Sequence, residues 1–190
     1  MASEVEAHDW GMRALIVFES MYGNTRTIGE HIVVGLADRY EVTLVPVANA
    51  TPELVAQADL LVCGAPTHVH GLSRPSTRRA AVEATKKDTT LEIQPGADGP
   101  GLREWLDGLE YLDGASAAVF DTRIKAPALL TGRASRRIAR RLRRSGRKLA
   151  VAPRSFLVDK HNHLLDDQPG LAEAWGRSLV AELSPVTPSR

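Results

Sequence analysis

The chain has little of what would place it outside an ordinary aqueous fold. Its 190 residues include one cysteine, Cys63. No internal disulfide can form, and the reducing cytoplasm is the expected compartment. No apolar run approaches the ~20 residues that span a bilayer. The first residues, Met1 to Asp9, are polar and acidic and read as neither a secretory signal nor an Arg-rich transit peptide. There is no internal repeat and no linker that would divide two domains. One domain over residues 13–183 is expected, with flexible termini at 1–12 and 184–190. Hydrophobic residues make up 43% and charged residues 25% of the chain, which argues against disorder. Net charge is only +1, but it is unevenly spread.

What is present is an alternation of short apolar runs and helical stripes. Ala14 to Phe18 is a continuous apolar run, as in a parallel strand covered on both faces. A helix follows over about 25–37, with Ile28, Ile32 and Leu36 on one stripe. Glu41 to Pro46 reads as a second strand. A short helix over 51–57 has Thr51 as cap and Pro52 at its first position. Asp59 to Gly64 is a third strand, and a helix is expected near 76–87. Residues 88–100 carry turn and breaker residues and read as a flexible loop. A helical pattern then places Leu102, Trp105, Leu106 and Leu109 on one face. Ser116 to Asp121 is a fourth strand, followed by a long loop over 122–133. A helix over 134–145 ends at Gly146. Residues 148–151 and 156–158 read as a fifth strand interrupted near Pro153. The last helix, 169–183, repeats Leu171, Trp175, Leu179 and Leu183. This alternation implies a doubly wound parallel sheet.

The chemistry lies where the first strand turns into the first helix. Ser20-Met21-Tyr22-Gly23-Asn24-Thr25 offers hydroxyls, an amide and a glycine there. Free N–H groups at a helix N-terminus attract anions, and the helix dipole adds about half a positive charge. Gly23 permits a sharp turn and close approach of a ligand. Ser20, Asn24 and Thr25 can donate to phosphate oxygens. No Gly-Lys-Ser/Thr is present, so this is not the triphosphate loop.

This segment resembles the phosphate loop of flavodoxin-like proteins, at Ser20, Tyr22, Gly23, Asn24 and Thr25. The resemblance implies a three-layer α/β/α fold with a five-stranded parallel sheet of order 2-1-3-4-5. It also implies non-covalent FMN and an electron-transfer or oxidoreductase role. In such sheets ligands bind outside the carboxyl ends of the strands, where strand order reverses. By the same resemblance, Ser20 to Thr25, Met21 included, would hold the monophosphate. Pro66, Thr67, His68, Val69, His70 and Gly71, with Asp121, Thr122 and Arg123, would surround the ring and ribityl chain. No catalytic acid, base or nucleophile is expected. Gly64-Ala65-Pro66-Thr67 resembles the Gly-x-Pro-Thr of the family's quinone-reductase branch. Neither ring-side loop contains the Trp or Tyr that usually brackets the flavin, and the strong acidity of carrier flavodoxins is absent.

Expected partners are a redox protein, or NAD(P)H with a small-molecule acceptor. The alternatives are an NAD(P)H-dependent quinone or flavin reductase, and a flavin-free scaffold that binds a protein. A homodimer is compatible with either. Receiver domains share the strand order, but Glu19-Ser20 and Gly64-Ala65 lack their acidic pair and phosphoacceptor. His68-x-His70 and His161-x-His163 lack a third spaced metal ligand, and the second pair reads as an exposed turn. Cys63 reads as a small core residue. Arg136 to Arg144 form the basic outer face of a helix anchored by Ile138 and Leu142. That face could dock an acidic partner; with no interleaved aromatics, nucleic acid is not expected. Arg74, Arg78 and Arg79 would favour an anionic cosubstrate if they stand at the crevice.

Overall fold

A computed structural model describes residues 11–68, 71–87 and 91–183. The elements are β1 (Arg13–Phe18), α1 (Asn24–Leu36), β2 (Glu41–Pro46), α2 (Pro52–Ala56), β3 (Leu60–Pro66), α3 (Pro75–Lys87), α4 (Leu102–Asp107), β4 (Ser116–Ile124), α5 (Ala128–Thr131), α6 (Ala134–Arg144), β5 (Lys148–Leu149), β6 (Arg154–Val158) and α7 (Gln168–Leu183). All the strand pairings are parallel, in the order β2-β1-β3-β4-β5, with β6 also on β4. The expected interrupted fifth strand is thus two short strands sharing one neighbour. β5 pairs with Ser116 and Ala117, and β6 pairs with Phe120 to Ile124.

Period-two side-chain alternation divides the core between two faces. Leu15, Val17, Leu61 and Cys63 pack with Leu102 and Leu106 of α4 and Ile138 and Leu142 of α6. Ala14, Ile16, Leu60, Val62 and Phe120 pack with Ile28, Ile32 and Leu36 of α1 and Ala172, Trp175 and Leu179 of α7. β1 and β3 are buried on both faces, whereas β2 has only half-buried and exposed positions, as an edge strand should. Phe120, Phe156 and Trp175 meet edge to face, with ring centroids 6.1–6.3 Å apart.

Four expectations change. The long loop after strand four starts later, because pairing with β6 extends β4 to Ile124, and Ala128–Thr131 makes a single helical turn. Residues 91–100 are irregular but packed: the Gln94 N–H donates to the Met21 carbonyl at 2.8 Å. Ile93 and Ala97 join Met21 and Ala81 in a small apolar cluster. On α7, Leu171 is exposed and Ala172 takes its place inward. A four-residue repeat drifts by about 40° per step around a helix of 3.6 residues per turn, so Leu171 leaves the face that Trp175 and Leu179 share. Finally, of the expected flexible termini, 1–10 and 184–190 lie outside the described residues. Met12 packs against the core, and its carbonyl accepts from the Glu41 N–H.

Helices α1 and α7 meet at Gly35 and Gly176, where their backbones touch. A Cβ on Gly35 would overlap the Glu173 carbonyl oxygen. Both partners there are backbone, so neither can rotate away. Gly35→Ala is expected to lower the unfolding free energy by about 1–3 kcal/mol, measured by urea denaturation at unchanged m-value. An unchanged midpoint would mean that the helices do not depend on this approach.

Candidate functional site

The strand register brings three chain segments to one rim. Phe18 pairs with Gly64, and Gly64 with Phe120. The chain therefore leaves β1, β3 and β4 at neighbouring heights. A cavity of about 350 Å³ opens among these exits, within the range of small-molecule sites.

The first wall is the elbow before α1. Gly23 sits at φ 89°, a left-handed conformation open to glycine at no steric cost. No side chain caps α1, so its first-turn N–H groups have no intrahelical acceptor and no capping side chain. Ser20 is buried, and its Oγ has no partner among the described residues. Thr25 and Thr122, both buried, share a 2.9 Å hydroxyl–hydroxyl hydrogen bond that ties the first loop to β4. The Asn24 amide donates to the Asn162 carbonyl at 2.6 Å. Asn24 thus holds the turn after β6 in place. Tyr22 lies against α3, its hydroxyl donating to the Ala81 carbonyl at 3.1 Å.

The second wall comes from β3. The Thr67 N–H donates to the Thr122 carbonyl, and the Thr67 hydroxyl accepts from the Ala134 N–H at the start of α6. His68 and Gly71 exchange two backbone hydrogen bonds. Burial, reinforced by the charge of Arg78, lowers the His68 pKa below the ordinary 6.5. Its Nε2 has no partner among the described residues. The third wall is Thr122, Arg123 and Ile124. The Arg123 guanidinium donates to the Ala126 carbonyl at 2.7 Å, which shapes the loop after β4.

Of the expected site residues, Ser20, Met21, Tyr22, Asn24, Thr25, Pro66, Thr67, His68, Thr122 and Arg123 line this cavity. Gly23 forms the turn between them. Asp121 does not line it. Its side chain is fully buried, with Oδ2 accepting from the Ser135 N–H at 2.8 Å in the first turn of α6. Burial raises its pKa. Gly71 lies beside a neighbouring cleft, and Val69 and His70 fall outside the described residues. Thr77, Ala80, Ala81, Ile124, Val158 and Asn162 complete the lining and were not expected. Only Asn162 carried a signal: it adopts φ 63°, which asparagine tolerates better than most residues. The lining contains no carboxylate among the described residues, and Tyr22 is its one aromatic ring besides the imidazole.

Arg78 is not at the crevice mouth. It is buried, donating to the Ser73 hydroxyl at 3.0 Å and to Glu104 at 3.2 Å. Glu19, buried at the base of the first loop, accepts from the Leu102 N–H at 2.8 Å. Among the described residues no group of three or more His, Cys, Asp or Glu side chains could hold a metal. His161 and His163 are exposed, and their N–H groups donate to Asp159. Cys63 is wholly buried, and burial pushes its thiol up to about 12.

Burial raises the Glu19 pKa above 4.5, and hydrogen bonds from Ser73 and Leu102 offset only part of that. The folded state therefore holds this proton more tightly than the unfolded chain. Its contribution to stability is full below about pH 4.5 and is lost as pH rises through the raised pKa. Glu19→Gln keeps an acceptor for Leu102 without the charge. Its melting temperature should gain on the parent as pH rises above 4.5, with no gain below. A pH-independent difference would refute this. For His68, ring carbon NMR should give a titration midpoint below 6.5; a midpoint above it would place the imidazole in contact with water or an anion.

No family profile matches the sequence, and no curated protein matches it. Solved structures do resemble it. The chain aligns with flavodoxin 1 from Bacillus cereus at TM-score 0.62 and 18% identity, covering 90% of this chain and 99% of that one. Flavodoxin 2 from the same organism gives 0.61 and 22%, over 90% and 99%. A flavodoxin, WrbA-like protein from Agrobacterium tumefaciens gives 0.55 and 18%, over 90% and 96%. At such identities the likeness is one of architecture. Together with the strand order and the position of the cavity, it establishes that this chain has the flavodoxin-like α/β fold.

Proposed function

We propose that the chain binds FMN non-covalently at the rim of its sheet and acts as a redox protein. The observation that carries this is the first loop. An uncapped helix start after a left-handed glycine, and a buried Ser20 hydroxyl without a partner among the described residues, border one cavity that no described carboxylate lines. That donor set suits a phosphate monoester, which carries about −1.5 to −2 charges at neutral pH and accepts several hydrogen bonds. The residues fit the group.

In this reading, Ser20, Thr25 and the first-turn N–H groups of α1 would hold the phosphate. Met21, Tyr22, Pro66, Ala80, Ala81, Ile124 and Val158 supply the apolar part of the lining. FMN, when bound, supplies the electron-carrying chemistry, and the protein supplies position and surroundings. His68, neutral near pH 7, brings no cation to the ring side. The scarcity of aromatics implies modest affinity. Each missing ring pair is worth about 0.5–1.5 kcal/mol, so two amount to roughly one to two decades in Kd.

Two functional variants follow. A carrier would exchange electrons with a protein; a reductase would oxidise NAD(P)H and reduce a quinone or flavin. Steady-state oxidation of NAD(P)H by the FMN-supplied protein with a quinone separates them. The flavin-free reading draws on the basic face of α6. There Arg136, Arg140, Arg143 and Arg144 border a groove suited to an acidic partner.

The deciding experiment is a visible spectrum of the protein as isolated, repeated after incubation with FMN and desalting. Retained flavin absorption and quenched flavin fluorescence are expected. Ser20→Ala should weaken FMN about tenfold or more, the loss of one hydrogen bond to a charged group. A protein that neither retains nor quenches the flavin leaves the scaffold reading in possession.

A further inference from the structure

Beside the first cavity lies a second, of about 220 Å³, lined by His68, Gly71, Leu72, Arg74, Ser76, Thr77, Arg103 and Arg137. His68 and Thr77 line both cavities. Three guanidinium groups reach this cleft from three elements: Arg74 before α3, Arg103 on α4 and Arg137 on α6. Among the described residues none of the three has an ion-pair partner, and no carboxylate lines the cleft.

The arrangement is built rather than incidental. Arg103 is held by two backbone carbonyls, donating to Leu72 at 2.6 Å and Ser73 at 2.8 Å. Arg137 lies over Gly71 so closely that a Cβ there would displace it. The start of α3 is pinned by Thr77, whose hydroxyl accepts from the Arg74 N–H at 2.8 Å and donates to the Arg74 carbonyl. The nearest acids are committed elsewhere. Glu104 serves Arg78 and the Gly101 N–H, and Asp107 pairs with Arg141 at 2.7 Å. Burial first, then the neighbouring Arg141, Arg74 and Arg137, lower the Arg103 pKa, and Glu104 opposes them only in part. Three like charges facing one space repel one another, weakly where water screens them, and an anion between them would relieve that repulsion. Planar guanidinium forks suit phosphate better than any other common side chain.

We propose that this cleft binds the phosphate group of the small molecule that exchanges electrons with the flavin, with Arg74, Arg103 and Arg137 as its anion contacts. The redox part of this assignment rests on the FMN reading above; the anion site itself does not. The cosubstrate would span the His68–Thr77 wall, its charged end among the arginines and its reacting end in the first cavity.

The probe is inorganic phosphate, titrated by calorimetry into protein first saturated with FMN, which occupies the phosphate loop. Binding with a Kd in the range of about 1 mM or tighter is expected. Arg137→Gln should weaken it about tenfold, and Arg137→Lys should recover much of the loss. Arg177→Gln, on α7 and outside both cavities, should leave it unchanged. No phosphate binding to the FMN-saturated protein overturns the proposal, as does equal weakening by the Arg177 and Arg137 substitutions. If the protein takes up no FMN, the redox reading fails by that result. The same arginine variants then still decide the anion site, since they do not touch the first loop.

Discussion

The site depends on a register. Phe18, Gly64 and Phe120 stand side by side across three parallel strands, so three loops begin at one level. Gly64 makes this possible in its present form. A Cβ at that position would penetrate the Phe120 ring, and the ring packs edge to face with Phe156 and Trp175. Packing on the α1/α7 face therefore sets how β3 and β4 lie together, and that in turn sets the width of the crevice. The Thr25–Thr122 hydroxyl contact and the Thr67–Thr122 backbone bond close the same arrangement from above.

Charge is sorted by burial around this rim. Glu19 and Arg78 are both almost fully enclosed, and Glu104 reaches Arg78 from a partly open position. Two carboxylates against one buried guanidinium leave no spare cation for a ligand. Gly101 is part of the same constraint, because a side chain there would meet Arg78. This cluster joins the base of the first loop to the starts of α3 and α4, and those two helices help frame the arginine cleft. A cation brought inside by folding must be paired; one left at the surface need not be. Arg78 follows the first rule, and Arg74 and Arg137, both exposed, follow the second.

Much of this was legible in the chain. The apolar run at 14–18, the stripe Ile28–Ile32–Leu36 and the inward pair Ile138–Leu142 each report a local period that burial respects. The Ser20–Thr25 elbow was legible because a glycine fits the sharp turn between strand and helix and because the segment resembles a known loop. What was not legible depends on long-range pairing. β4 continues past Asp121 because β6 pairs with it from 34 residues on (Ile124 with Val158), and nothing at 122–124 announces that partner. Asp121 looked like a rim residue by position alone; its carboxylate is instead taken by the N-terminus of α6. Residues 91–100 carry the composition of a free loop, yet Ile93, Gln94 and Ala97 are held by Met21 and its neighbours. Arg74, Arg78 and Arg79 are close in sequence, but a helix turns successive residues by about 100°, which sends Arg78 inward. The arginines that do converge come from three separate elements, so no window of sequence contains them.

The balance of contacts at the first loop has a consequence for how a flavin would be held. Stacking contributes through broad ring faces, and the lining offers Tyr22 and an imidazole. Backbone and hydroxyl donors at a helix start instead act on one end of the ligand. A molecule anchored mainly at its phosphate has a well-placed tail and a less constrained ring. In the FMN reading proposed above, Pro66, His68 and Ile124 would exclude water from the ring without gripping a flat face. Such a site would favour reach over tight shielding. The scarcity of aromatics and the arginine cleft would then belong to one arrangement, because His68 and Thr77 line both cavities and a flavin surface left uncovered by rings would lie near Arg74, Arg103 and Arg137.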